Sequence, residues 1–342
     1  MDSIMQKAFI HNALTDTPLS LPSGLFAGKT GICLYLFHAG HEDLAHEWLQ
    51  TINRELPAMK GCITVEEGLS GVGIAISHLA RKGFIKGDIN AALREIDDRV
   101  FQQLAYERHS KKYSLTALIH ILYYLTSRWK DQAEGSDSEY IFKSLITKTV
   151  NNLYGRIDPQ SIYEPLHYSL DYALPQVLYI MDYLLSLNLC RQRIERMMGE
   201  LSPVILSTIP RIEGNRLYLL CGINALLSHG EFPEEWREHA SILLSNINVN
   251  HILTKEMGCK NIYINNGLSS LYFLIAQIHE YSGSMHEYRK LIMERIDNSP
   301  EWKLLAENRA YLRSHLGLYN GVCGVALARN IMDKQNERRK PL

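Results

Sequence analysis

Three stretches of this chain open with two glycines three residues apart and then run into nearly unbroken apolar sequence: GLFAGKTGICLYLF (24–37), EEGLSGVGIAISHL (66–79) and GLYNGVCGVALARN (317–330). The pairs are Gly28/Gly31, Gly68/Gly71 and Gly321/Gly324. Glycine costs a helix about 1 kcal/mol relative to alanine, so a pair at each start implies that the missing Cβ allows close backbone approach. Weaker copies keep the frame at Gly267/Ser270, Gly222/Ala225, Ala173/Gln176 and Ala117/His120. The spacing, roughly 40 to 55 residues, lies in the range that marks a repeat architecture.

Between these segments lie amphipathic stretches such as AALREIDDRVFQQLAY and YIFKSLITKTVNNLYG, apolar at i, i+3 and i+4 with charges between. A helix apolar all round belongs to an inner layer, and amphipathic helices cover it from outside. No repeat with a polar outer face caps either end, which favours a closed ring over an open solenoid. The expectation is an all-α fold, an α/α toroid of about seven inner/outer helix pairs, forming one domain over residues 1–342.

The 342 residues, 46% of them hydrophobic, suffice for a large core. A formal net charge of -1 gives no electrostatic footprint for nucleic acid or an anionic membrane. No apolar run reaches the roughly 20 residues of a membrane span, and the N-terminal sequence lacks a secretory pattern. Six cysteines without paired spacing suit a reduced compartment, so a cytoplasmic protein is expected. Gly71 and Gly73 lack the third glycine and the preceding strand of a dinucleotide site. His41, Glu42 and His46 read as solvated helix surface, since histidines five apart point away from each other.

The glycine-led repeats resemble the lanthionine synthetase C-like family, the zinc-dependent cyclases of lanthipeptide biosynthesis and their relatives, over essentially the whole chain. The resemblance implies an active site at the glycine-rich ends of the later inner helices. There, zinc is held by a Cys in a Trp-Cys-x-Gly segment and by the Cys and His of a Cys-His-Gly segment, while a His in an Ala-His-Gly segment moves protons. The zinc would activate a thiol for addition to a dehydroamino acid.

Carried over by that resemblance, the Cys-His-Gly frame falls on Asn265, Asn266 and Gly267. The other ligand position, two residues before Gly222, is Leu220, and the proton-transfer position before Ala173 is Tyr172, preceded by Asp171. Amides and a leucine do not make a zinc site. Cys221 adjoins the lost ligand, with Cys259 and His229 as conceivable partners, but a buried structural cysteine is the simpler reading. Asn265 or Asn266 could equally cap the inner helix.

The expected function is therefore a zinc-free, non-catalytic protein with no cofactor, binding a peptide or partner protein in peptide maturation. Its binding surface at the toroid mouth would comprise Asp171, Tyr172, Leu220, Cys221, Asn265, Asn266, Tyr319 and Asn320, with Tyr168 nearby. The rival is metal-independent, carboxylate-based hydrolysis of a glycoside, with Glu66, Glu67 and Asp171 as its acids.

Overall fold

The computed structural model describes Leu14 and residues 21–59, 62–106, 112–158, 161–258 and 261–337. In chain order its main helices are α1 (Lys29–Ala39), α2 (Glu42–Glu55), α3 (Leu69–Arg81), α4 (Ile89–Ala105), α5 (Leu115–Lys130) and α6 (Asp137–Tyr154). There follow α7 (Ala173–Ser186), α8 (Arg191–Ser207), α9 (Glu213–His229), α10 (Glu234–Ser245), α11 (Leu268–Ile275), α12 (Met285–Asn298), α13 (Pro300–Glu307), α14 (Arg309–Ser314) and α15 (Val322–Glu337). The fold is all-helical, with no strand among the described residues. No helix there is long and apolar enough to cross a membrane.

The chain forms two compact units, one of residues 1–75 and 249–342, the other of residues 76–248, and the division falls inside α3. In both, buried helices alternate with half-exposed ones. In the first unit, α1 buries eight residues from Lys29 to Phe37, whereas α2 buries only Ala45 and Ile52. In the second, α7 buries ten residues, and α8 only Ile194, Met197, Met198 and Ile205. The buried helices are neighbours: α11, α15 and α1 pack in series in the first unit, and α5, α7 and α9 in the second. The sequences of α7 and α11 are apolar nearly throughout and leave little polar face for solvent, whereas α9 and α15 turn polar toward their C-terminal ends.

Six of the expected inner-helix starts fall where the glycine frame puts them. Gly28 and Gly267 are the N-caps of α1 and α11, Gly68 and Gly321 directly precede α3 and α15, Ala173 begins α7, and Ala117 lies in the first turn of α5. Gly222 is different. Helix α9 begins at Glu213, and Gly222 lies within it, where a Cβ would come 3.2 Å from Cβ of Leu178 on α7. Its missing side chain serves helix–helix contact, not a helix start.

The four glycine-led starts of the first unit share one hydrogen bond. The first helical N–H reaches the carbonyl seven residues back: Lys29 to Pro22 (2.8 Å), Leu69 to Cys62 (3.0 Å), Leu268 to Asn261 (2.9 Å) and Val322 to His315 (2.7 Å). Such a loop folds so tightly onto its helix that a Cβ on Gly28 would lie 2.3 Å from the Pro22 oxygen, and one on Gly324 1.7 Å from the Leu318 oxygen. Only glycine fits against those carbonyls.

Candidate functional site

In the first unit, the loops 22–28, 62–68, 261–267 and 315–321 lie side by side, joined through their main chains. The N–H groups of Leu25 and Phe26 donate to Val65 and Glu66 (3.1 and 3.2 Å), and those of Leu318 and Tyr319 both donate to Phe26 (2.8 and 3.0 Å). The N–H of Asn265 donates to Tyr319 (3.0 Å). The spatial order is thus 62–68, 22–28, 315–321, 261–267. Leu25, Val65 and Ala75 form a small core beneath this crown, with Phe26, Leu34, Ile74 and Leu318 packed against it. The rings of Phe26 and Tyr319 stack at 4.5 Å, and Ala27, Glu67 and Asn320 are exposed.

Asn265, Asn266, Tyr319 and Asn320 therefore come together on adjacent loops. Asn265 is buried and Asn266 half-buried. Neither caps α11: Gly267 is its N-cap, without a side-chain cap. The reason is the loop itself, since carbonyls of Asn261 and Ile262 already accept from the first two helical N–H groups. The Asn266 main-chain oxygen accepts from Asn261 Nδ2 (3.0 Å), while its buried side-chain Oδ1 has no hydrogen-bond partner.

Behind the crown, the hydroxyls of Tyr263 and Tyr311 both donate to Oε1 of Glu301 (2.5 and 2.7 Å), a carboxylate only 3% exposed. His315 stacks on Tyr311 at 4.1 Å and on Tyr263 at 6.2 Å. Burial foremost, then Glu301, raises the Tyr263 phenol; the hydrogen bond to Glu301 is the main cause for Tyr311. Both stay protonated donors, so the cluster fastens the 261–267 and 315–321 loops to α13 and α14. Sequence patterning gave no hint of this cluster, whose members lie up to about fifty residues apart and carry no motif.

The second unit holds the remaining candidates. Asp171 is exposed, and Tyr172 occupies the N-cap position of α7 with its side chain buried and its hydroxyl without a hydrogen-bond partner. Burial, with Glu164 as a lesser cause, raises that phenol well above its ordinary value. It cannot exchange protons near neutrality as a histidine would. Leu220 and Cys221 are buried about two turns into α9. The ligand position inferred for Leu220 therefore lies in a helix interior, because the frame that placed it rested on Gly222.

Cys221 is a poor metal ligand in this setting. Burial pushes its thiol up to about 12, a hydrogen bond with Tyr179 offsetting part of the effect. Tyr218 is raised by burial and, to a lesser degree, by Tyr123, Tyr168, Cys221 and Asp171. His229 lies eight residues further along α9, about 12 Å at helical rise, and its Nδ1 contacts Oδ1 of Asp182 at 2.6 Å. It does not share a metal with Cys221. Cys259 lies outside the described residues.

The start of α9 is held by a residue the sequence did not single out. The Glu164 carboxylate accepts from the N–H groups of Arg211 and Ile212, both at 2.8 Å, and from Asn215 Nδ2 at 3.3 Å. Asn215, fully buried, accepts in turn from the Ser169 N–H (3.1 Å). A carboxylate at a helix N-terminus suits the dipole. Of the acids of the hydrolytic alternative, Glu66 is half-buried and Glu67 exposed, adjacent on one loop, and Asp171 is exposed in the second unit. No family model matches the chain, and no curated protein is significantly similar to it in sequence.

Proposed function

We propose that this chain is a zinc-free relative of the lanthionine synthetase C-like toroids, which binds a peptide or a partner protein at its loop crown instead of catalysing cyclisation. A closed ring is supported by the contact of α15 with α1 and by the order of the crown loops in the first unit. There the last two glycine-led loops sit beside the first two, an order natural to a ring and foreign to an open array.

The observation that carries the binding role is the pair Asn265 and Asn266. They sit on a loop whose main-chain bonds fix it against Tyr319, and they offer amides where the family resemblance calls for a thiolate and an imidazole. The adjoining stacked rings of Phe26 and Tyr319, with exposed Asn320, add an aromatic and amide surface of the kind that holds a peptide. The test has two arms. Elemental analysis after dialysis against a weak chelator should find no stoichiometric zinc, and one zinc per chain overturns the zinc-free reading. Fluorescence anisotropy with a labelled dehydrated peptide should report binding that weakens on Tyr319→Ala without formation of thioether rings; ring formation would make the protein a cyclase.

A further inference from the structure

Between α4 and α6 of the second unit lies a half-open cavity of about 450 Å³, the volume of a small-molecule site. Helix α4 contributes Arg94, Asp98 and Phe101 along one face, at i, i+4 and i+7. Helix α6 supplies Ile141, Phe142 and Leu145 from the other side. Phe101 and Ile141 are 43% and 42% exposed, so the cavity presents open apolar surface.

Its inner wall is a network of ion pairs. Arg128, 1% exposed, grips Asp97 through Nε and Nη2 at 2.9 to 3.1 Å, and also bonds Asp131 (2.7 Å) and Asn90 (2.8 Å). Tyr124 donates to the same Asp97 carboxylate. These charges are committed to one another. Arg94 and Asp98 are not: one helical turn apart at the cavity edge, both exposed, they form no ion pair or hydrogen bond with each other or with any described residue. A free cation and a free anion on side chains whose Cβ atoms are about 6 Å apart, beside apolar rings, match a ligand that carries both charges on a small head and an apolar body.

We propose that this cavity binds a zwitterionic amino acid with an aromatic or branched apolar side chain. Its carboxylate meets Arg94, its ammonium meets Asp98, and its side chain lies on Phe101 and Phe142. The site is independent of the loop crown.

Isothermal titration calorimetry of the full chain tests it, with L-phenylalanine and L-leucine as probes. Phenethylamine and 3-phenylpropionate serve as ligands carrying one charge each. Saturable binding of one L-phenylalanine per chain is expected, weakened about tenfold by Arg94→Gln or by Asp98→Asn, the loss of one charge-assisted contact. Phenethylamine should ignore Arg94→Gln, and 3-phenylpropionate should ignore Asp98→Asn. Both substitutions are at exposed positions, so the fold is retained, as circular dichroism would verify. Three results overturn the proposal: no saturable heat with either amino acid, binding unchanged by both substitutions, or phenethylamine binding as tightly as L-phenylalanine.

Discussion

Gly324→Ala should destabilise the protein by about 3 kcal/mol, and the figure follows from the loop geometry. The new Cβ would sit 1.7 Å from the Leu318 carbonyl oxygen and 3.0 Å from Cδ1 of Ile264. A carbon and a carbonyl oxygen need roughly 3.3 Å, so the 315–321 loop must move by roughly 1.5 Å. That shift disturbs the bonds from Val322 N–H to His315 (2.7 Å) and from Leu318 and Tyr319 N–H to Phe26. Two or three such bonds at about 1 kcal/mol each, with overpacking strain of about 1 to 3 kcal/mol, outweigh the roughly 1 kcal/mol that alanine gains in a helix. Gly199→Ala is the control: exposed inside α8, with nothing within 4 Å of its would-be Cβ, it should stabilise by about 0.5 to 1 kcal/mol. Urea unfolding followed by circular dichroism compares the two. If Gly324→Ala unfolds at or above the wild-type midpoint, the loop is not held as described.

Arg128→Met should cost about 3 kcal/mol in the same assay, because it leaves Asp97 without its guanidinium partner, whereas Asp131 keeps its ion pair with Arg81; adding Asp97→Asn should recover part of the loss, and no recovery would locate the cost elsewhere. Cys33, Cys221 and Cys323 are buried thiols pushed up by desolvation, the first two to about 12. At pH 8 a disulfide reagent should therefore modify half-buried Cys62 and Cys190 in the folded protein and reach these three only on unfolding; rapid labelling of Cys221 would contradict its placement. Asp182 is raised by burial, with His229 offsetting part of the shift, so the folded chain holds this proton more tightly than the unfolded one. Its contribution to stability then falls as pH rises through the window above the ordinary aspartate value near 4. Asp182→Asn should remove that slope between pH 3 and 7, and a wild-type stability that instead gains with pH relative to the variant would reverse the assignment.

The repeats were readable because their cause is local. A seven-residue loop folded onto its own helix demands glycine wherever its carbonyl presses on the helix, and the demand appears in sequence as Gly-x-x-Gly at Gly28, Gly68 and Gly321. Gly222 misled because close approach of two helices selects the same residue: Leu178 stands where a Cβ would go. The true start of α9 carries no local mark. It is fastened by Glu164, about fifty residues upstream, and only the folded chain brings that carboxylate to Arg211 and Ile212. Arg128 was similarly silent. An arginine in the apolar run LTALIHILYYLTSRWK signals a buried partner, but Asp97 is not identifiable as that partner without the packing of α4 beside α5.

The same contrast accounts for the asparagines. What fixes the 261–267 loop is main chain: the Leu268 N–H on the Asn261 carbonyl, the Asn265 N–H on the Tyr319 carbonyl, and the close fit at Gly267, where a Cβ would lie 2.3 Å from the Asn261 oxygen. None of these contacts uses the side chain of residue 265 or 266. A loop held in this way does not depend on the Asn266 side chain, whose Oδ1 has no hydrogen-bond partner. For the same reason, substitutions at Asn266 should alter binding more than stability, while substitutions at Gly267 should do the reverse.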